Sequence, residues 1–243
     1  MYLLNFDKPF SVLQGLKGFP HVVHCSIIFG DWNIQVVTDR CINFSELKGF
    51  QSIVYQGVKR FTHTPKVECI LWDEPFEIMY ECIKKFTLKR SDHEHFSYPL
   101  HWGSDEWKLY HAFKPNLRQK VTPLLQKIKV RYETYTKWRE SLEDHCTVHV
   151  EFYPEGLKTY LRHCFLFSPN DKFTVQKLFS LFPTSSVITE VGDQLLVYTH
   201  VNSSDITRRL FCTICDMETV EMIRKFNKAV IVSYHDVTKS MER

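Results

Sequence analysis

His24 and Ser26 stand two residues apart in the run His21-Val22-Val23-His24-Cys25-Ser26-Ile27-Ile28-Phe29, which Gly30-Asp31 closes. The run reads as a strand, and side chains alternate along a strand. Val22, His24, Ser26 and Ile28 are expected on one face, with Val23, Cys25, Ile27 and Phe29 on the other. An imidazole and a hydroxyl projecting into the same space suit a phosphate: the imidazole moves a proton while the hydroxyl donates to a phosphoryl oxygen. Cleaving a phosphodiester without a metal takes a base for the attacking oxygen and an acid for the leaving oxygen, so a second histidine is needed. Three candidates are present. His95-Phe96-Ser97 has the right residue types. His101-Trp102-Gly103-Ser104 follows Tyr98-Pro99-Leu100 and has Gly103 where a hydroxyl belongs. His145-Cys146-Thr147 nearly copies the first triplet but lies beyond a long helical stretch.

Other groupings point less clearly to chemistry. Cys212-Thr213-Ile214-Cys215 is a lone pair of cysteines in a helical pattern, whereas structural zinc wants four ligands. His145, Cys146, His149, His163 and Cys164 are dense, but alternating strand faces keep them from converging, so neither metal nor cofactor is expected. A basic stretch supports a reading of another class. From Arg118 to Arg139 there are seven basic residues and one acid, Glu133. Lys127, Arg131 and Lys137, interleaved with Tyr132, Tyr135 and Trp138, could track a phosphate backbone. A solvated basic face with its aromatics in a core accounts for the same pattern.

The elements that must position these residues follow from periodicity. Strands are expected at Tyr2–Phe6, Gln51–Val58, Val67–Trp72, Cys146–Phe152, Leu161–Phe167, Ser186–Val191, Gln194–Val201 and Ala229–Tyr234. Helices are expected from Phe10 to Leu16, from Asp73 to about Arg90, at Thr174–Phe182 and at Ser204–Cys215. The longest helix is predicted over Thr122–Glu143, where Leu124, Leu125, Ile128, Tyr132, Tyr135, Trp138 and Leu142 keep a 3-to-4 spacing. The fold class is α+β. The expected division is a first domain over residues 1–114, a basic connecting helix over 115–143 and a second domain over 144–243. The β-α-β-β-α-β order of the last part suggests a ferredoxin-like α+β arrangement.

The order of strand, short helix and a His-x-Ser strand ending in Phe29-Gly30, followed by a strand pair and the helix after Pro75, resembles the first half of a 2H phosphoesterase of the LigT-like family. The resemblance covers residues 1 to about 112. It implies a two-lobed α/β fold with two His-x-Ser/Thr motifs on neighbouring central strands, and metal-independent processing of 2′,3′-cyclic or 2′,5′-linked nucleotides or RNA ends. His24 and Ser26 match the first motif. The second falls to His101 or to His95 with Ser97, and then to His145 with Thr147. The alternative is a catalytically degenerate relative that binds nucleic acid or protein.

Composition sets the outer limits. The chain has 243 residues, 44% hydrophobic and 24% charged, enough apolar content for a core. A net charge of +3 makes any basic surface a local one. No uncharged apolar run reaches the ~20 residues of a membrane span, and the opening residues do not read as a signal peptide. The eight cysteines are scattered, mostly in apolar stretches, as in a reducing compartment. The expectation is a cytoplasmic protein without a membrane partner, acting on a nucleotide or RNA.

Overall fold

Apolar alternation builds the first strand, β1 (Tyr2–Phe6), which buries Tyr2, Leu4 and Phe6 on one face and Leu3 on the other. Pro9, with a fixed φ and no amide hydrogen, opens α1 (Pro9–Leu16), and Leu13 and Leu16 fold back onto Tyr2, Leu4 and Phe6. Then come β2 (Val22–Gly30), β3 (Ile34–Thr38), β4 (Phe50–Gln56), β5 (Lys59–His63) and α2 (Asp73–Lys84). Four helices follow: α3 (Ser104–Phe113), α4 (Val121–Ile128), α5 (Tyr132–Glu140) and α6 (Leu142–His145). The chain ends with β6 (Leu161–Pro169), α7 (Lys172–Phe179), β7 (Val187–Val191), β8 (Gln194–Val201), α8 (Ser204–Thr219) and β9 (Ile223–Asp236). This computed structural model describes residues 1–69, 71–87, 100–146, 148 and 150–236, with backbone alone over 232–236. It divides into two compact units, residues 1–93 with 151–243, and residues 94–150.

In the larger unit the described strands form one antiparallel sheet in the order β4-β1-β3-β2-β9-β6-β8-β7-β5. Counted along the chain, β1 to β4 lie in the order 4-1-3-2, and β6 to β9 repeat that order. The junction between the halves is the β2–β9 pair. The strands at the two ends of the order, β4 and β5, are separated only by Gly57 and Val58. Gly57 donates its amide to the Met1 carbonyl, and the Gly192 amide donates to the Val58 carbonyl. Tyr55 places its hydroxyl 3.0 Å from the Val191 carbonyl oxygen and 2.6 Å from Asp193. One interrupted strand thus spans from β1 to β7, and the sheet curls until its ends meet.

Curling creates an inner and an outer face. On the outer face, α1 covers Tyr2, Leu4, Cys25, Ile27, Ile34 and Val36. The helices α2, α7 and α8 cover Phe165, Phe167, Ile188, Leu195 and Val197. Asp171 and Ser203 cap α7 and α8 by accepting the amides of Thr174 and Ile206. The inner face is filled by Leu3, Ile28, Trp32, Leu166, Val191 and Leu196. Each such side chain stabilises the unit by about 1.5–3 kcal/mol relative to exposure.

Three expected elements differ. The described residues of Val67–Trp72 and of Cys146–Phe152 form no strand; instead the Phe152 carbonyl accepts the Ser185 amide, and the Phe152 amide donates to the Ser185 hydroxyl oxygen, 2.7 Å away. The Thr122–Glu143 helix is broken. Lys129 adopts a left-handed conformation, with φ of 55°, and ends α4; α5 starts at Tyr132. A continuous helix would set Leu125 and Trp138 roughly 140° apart about its axis. The break lets both join Leu109, Phe113, Val130 and Leu142 in the single small core of the 94–150 unit. The expected 1–114, 115–143 and 144–243 division also differs from the observed one, because β2 and β9 pair along their length and join both ends of the chain in one sheet.

The β2–β9 junction depends on close backbone approach. Gly30 has φ of +155°, and a Cβ there would stand 2.3 Å from the Lys228 carbonyl oxygen. Gly30→Ala is expected to cost about 3 kcal/mol, read as a lower urea midpoint. Unchanged stability would show that β2 and β9 do not meet so tightly.

Candidate functional site

β2 holds the first motif in a regular stretch. Its pairing with β3 carries an extra residue between Val22 and His24, and from His24 onward the register is even: His24 opposes Val37, and Ser26 opposes Gln35. Val22 therefore departs from the expected face and packs under α1 with Cys25 and Ile27. His24, Ser26 and Ile28 share the inner face, because Ile28 and Val37 belong to the inner cluster. His24 is half-buried, and Ser26 is 1% exposed with no hydrogen-bond partner for its hydroxyl.

Across the curl, the inner faces of β6 and β8 bring further polar groups. Gln35 donates from Nε2 to the Tyr198 hydroxyl at 2.6 Å. In strand order β3 and β8 are four places apart, so this bond crosses the interior. Tyr198 opposes Cys164, and His200 opposes Arg162. The Arg162 guanidinium carbon lies 4.7 Å from the centre of the Tyr198 ring, a cation–π contact. His200, 4% exposed, has Nδ1 3.1 Å from the Ser185 carbonyl oxygen and its ring edge-on to Tyr153 at 4.7 Å. A carbonyl only accepts, so Nδ1 carries the proton and Nε2 is left as the acceptor.

His24 and His200 lie toward the same end of the curl. β2 and β8 run in opposite directions, since three antiparallel pairings separate them. His24 precedes Ser26 and His200 follows Tyr198, so each is displaced one strand repeat, about 7 Å, toward that end. Along β2, β6 and β8 the inner face changes from apolar to polar toward that end. On that face Leu166 opposes Leu196, Cys164 opposes Tyr198 and Arg162 opposes His200, while in the other half Ser26 opposes Gln35 and His24 opposes Val37.

Burial sets the protonation of several of these groups. His200 is pushed from 6.5 down to about 4, first by burial and then by the Arg162 charge, so it is neutral at pH 7. Burial pushes the Cys164 thiol and the Tyr198 phenol up, and takes Tyr153 to about 12 with help from Glu151. His163, on the opposite face of β6, stacks on Phe165 and is also lowered by burial.

The other sequence candidates lie in the 94–150 unit. His101 is exposed just before Trp102, and His145 is the exposed last residue of α6, its ring 6.0 Å edge-on from Trp102. His145 therefore does not sit on a strand. His95, Ser97 and Thr147 lie outside the described residues. Lys127, Arg131 and Lys137 are exposed on or beside α4 and α5, as are Arg118, Lys120, Lys129 and Arg139. Trp138 is buried and Tyr135 packs on the same core, which leaves Tyr132, 62% exposed, as the aromatic open to solvent. Cys212 and Cys215 are exposed, unpaired thiols on α8. Among the described residues, no three histidine, cysteine, aspartate or glutamate side chains gather as a metal site, and no helix is long and apolar enough to cross a membrane.

Gln35, Arg162, Tyr198 and His200 were not singled out by sequence. A signal was present: Arg162 stands in a mostly apolar strand, and Tyr198 and His200 stand two apart in another. Their common face depends on sheet order, which local periodicity does not carry. No protein-family model, no curated protein and no solved structure matches the chain.

The His200 shift gives a pH dependence of fixed sign. Between pH 6.5 and 4 the unfolded chain binds a proton that the folded protein refuses. Stability is therefore lost as pH falls through that window, by about 3 kcal/mol in total for this group. His163 adds a loss of the same sign. In urea titrations at pH 7 and pH 4.5, His200→Gln is expected to lose roughly 2 kcal/mol less than the wild type. Equal losses would contradict a buried, neutral His200.

Proposed function

We propose that the larger unit is a metal-independent phosphodiesterase acting on 2′,3′-cyclic or 2′,5′-linked nucleotides or RNA ends. The observation that carries this reading is that His24 and Ser26 share the inner face of the curled sheet with Arg162 and His200, all toward one end. The repeated 4-1-3-2 strand order supports a reading of two ferredoxin-like halves, the second complete with two helices. Two such halves in one curled sheet support the two-lobed arrangement that the 2H resemblance implies.

His200 suits the base. Its Nδ1 proton is engaged by the Ser185 carbonyl, and Nε2 takes the proton of the attacking water as that oxygen bonds to phosphorus. His24, protonated, gives its proton to the leaving ribose oxygen as the phosphorus–oxygen bond breaks. A second proton transfer through solvent restores both imidazoles. Ser26 donates to a non-bridging phosphoryl oxygen. The reading replaces the histidines of the 94–150 unit with His200 as partner to His24, while the exposed basic residues around α4 and α5 suit contacts along an RNA backbone.

The test is cleavage of adenosine 2′,3′-cyclic phosphate and 2′,5′-oligoadenylate. His24→Ala and His200→Gln are each expected to reduce turnover by about 10²- to 10⁴-fold, with His101→Ala near the wild type. If the wild type cleaves neither substrate, the binding-module reading takes its place. That reading expects Lys127→Ala with Arg131→Ala to lower RNA affinity and flatten its salt dependence, by about 0.9 in log–log slope per lost contact on a duplex and about 0.7 on a single strand.

A further inference from the structure

We infer that Arg162, stacked on Tyr198, is the seat of a phosphate oxyanion held inside the curl of the sheet. The identity of the anion as the phosphate of a nucleotide rests on the phosphodiester reading; the existence of an anion seat rests on the polar atoms of the interior.

Three buried side-chain atoms in this region have no hydrogen-bond partner: Ser26 Oγ, Gln35 Oε1 and Arg162 Nε. Ser26 and Gln35 are 1% and 4% exposed. Two of the three atoms belong to residues that touch one phenol, and the third neighbours Gln35. Gln35 donates to the Tyr198 hydroxyl, Arg162 lies over the Tyr198 ring, and Ser26 directly opposes Gln35 on the neighbouring strand, with Cα atoms about 5 Å apart. Buried polar groups are ordinarily paired, so unpaired ones on residues linked through Gln35 and Tyr198 mark a place that a polar ligand completes.

Charge selects the ligand. Arg162 remains protonated in any protein interior. Among the described residues the Arg162 charge acts on Tyr153, Cys164, Tyr198 and His200, which burial holds neutral at pH 7, and the exposed Glu151 also acts on Tyr153. Among the described residues, no carboxylate forms an ion pair with Arg162. A half-buried cation with no ion pair among the described residues attracts an anion, and a guanidinium fork matches a phosphate. The two donors, Arg162 Nε–H and Ser26 O–H, would bond phosphate oxygens. Gln35 Oε1 instead requires a donor on the ligand, which a ribose hydroxyl beside the phosphate supplies. A ribonucleoside 3′-monophosphate presents both groups on adjacent carbons.

The test is calorimetric titration of the full chain with adenosine 3′-monophosphate, inorganic phosphate and adenosine. Adenosine 3′-monophosphate and phosphate are expected to bind, the nucleotide more tightly, and adenosine is expected not to. Arg162→Met should weaken both by about 10- to 100-fold, and Arg162→Lys should restore part of the loss. Ser26→Ala removes a hydroxyl that has no protein partner, so its melting temperature without ligand should not fall while its phosphate affinity drops. Equal affinity in Arg162→Met and Ser26→Ala would overturn the seat, as would adenosine binding as tightly as its phosphate or no binding to the wild type. The two proposals fail separately. Anion binding that Arg162→Met abolishes, in a chain that cleaves nothing, keeps the seat and removes the hydrolase. Cleavage that Arg162→Met leaves untouched does the reverse.

Discussion

A strand broken at Gly57 and Val58 holds the two ends of the sheet together, its first half on β1 and its second on β7. An open nine-stranded sheet would leave two edges of unpaired backbone groups and a face needing a cover. Curling the sheet lets the inner face cover itself, so Trp32, Leu166 and Leu196 pack on residues from the opposite half rather than on a helix. It also brings β3 within side-chain reach of β8, where Gln35 meets Tyr198. Without closure, His24 and His200 would sit three strands apart on a flat surface. With it, they face a common interior.

That interior changes character along the strands. Along β2 Ile28 gives way to Ser26, which opposes Gln35, and along β8 Leu196 gives way to Tyr198. A face built only for stability would stay apolar, since each unpaired buried polar atom costs about 1–3 kcal/mol. Local violations of this kind are expected where function is carried, because a ligand-binding face retains polar groups that a pure core would discard.

Much of the chain was legible before its fold was known. Alternation placed β1, β2, β6, β7 and β8, and the His24–Ser26 face followed from a strand period of two. What failed did so for identifiable reasons. The Thr122–Glu143 pattern kept helical spacing throughout, yet Lys129 turned left-handed so that Leu125 and Trp138 could share a core. Domain boundaries drawn along the sequence could not anticipate β9 returning to pair with β2. The partner search looked for copies of a triplet, whereas His200 is followed by Val201 and Asn202 and qualifies only through its position on β8. Local spacing names residues; sheet order decides which of them meet.

The central claim is that His24 and His200, from opposite halves of one sheet, act on the same phosphate. Its most direct test is an NMR titration of the imidazole signals with adenosine 3′-monophosphate, each histidine assigned by substitution. The account predicts that the His24 and His200 signals shift together and saturate at the same ligand concentration while those of His101 and His145 stay in place. A shift of His24 together with His101 or His145, with His200 unmoved, would contradict it.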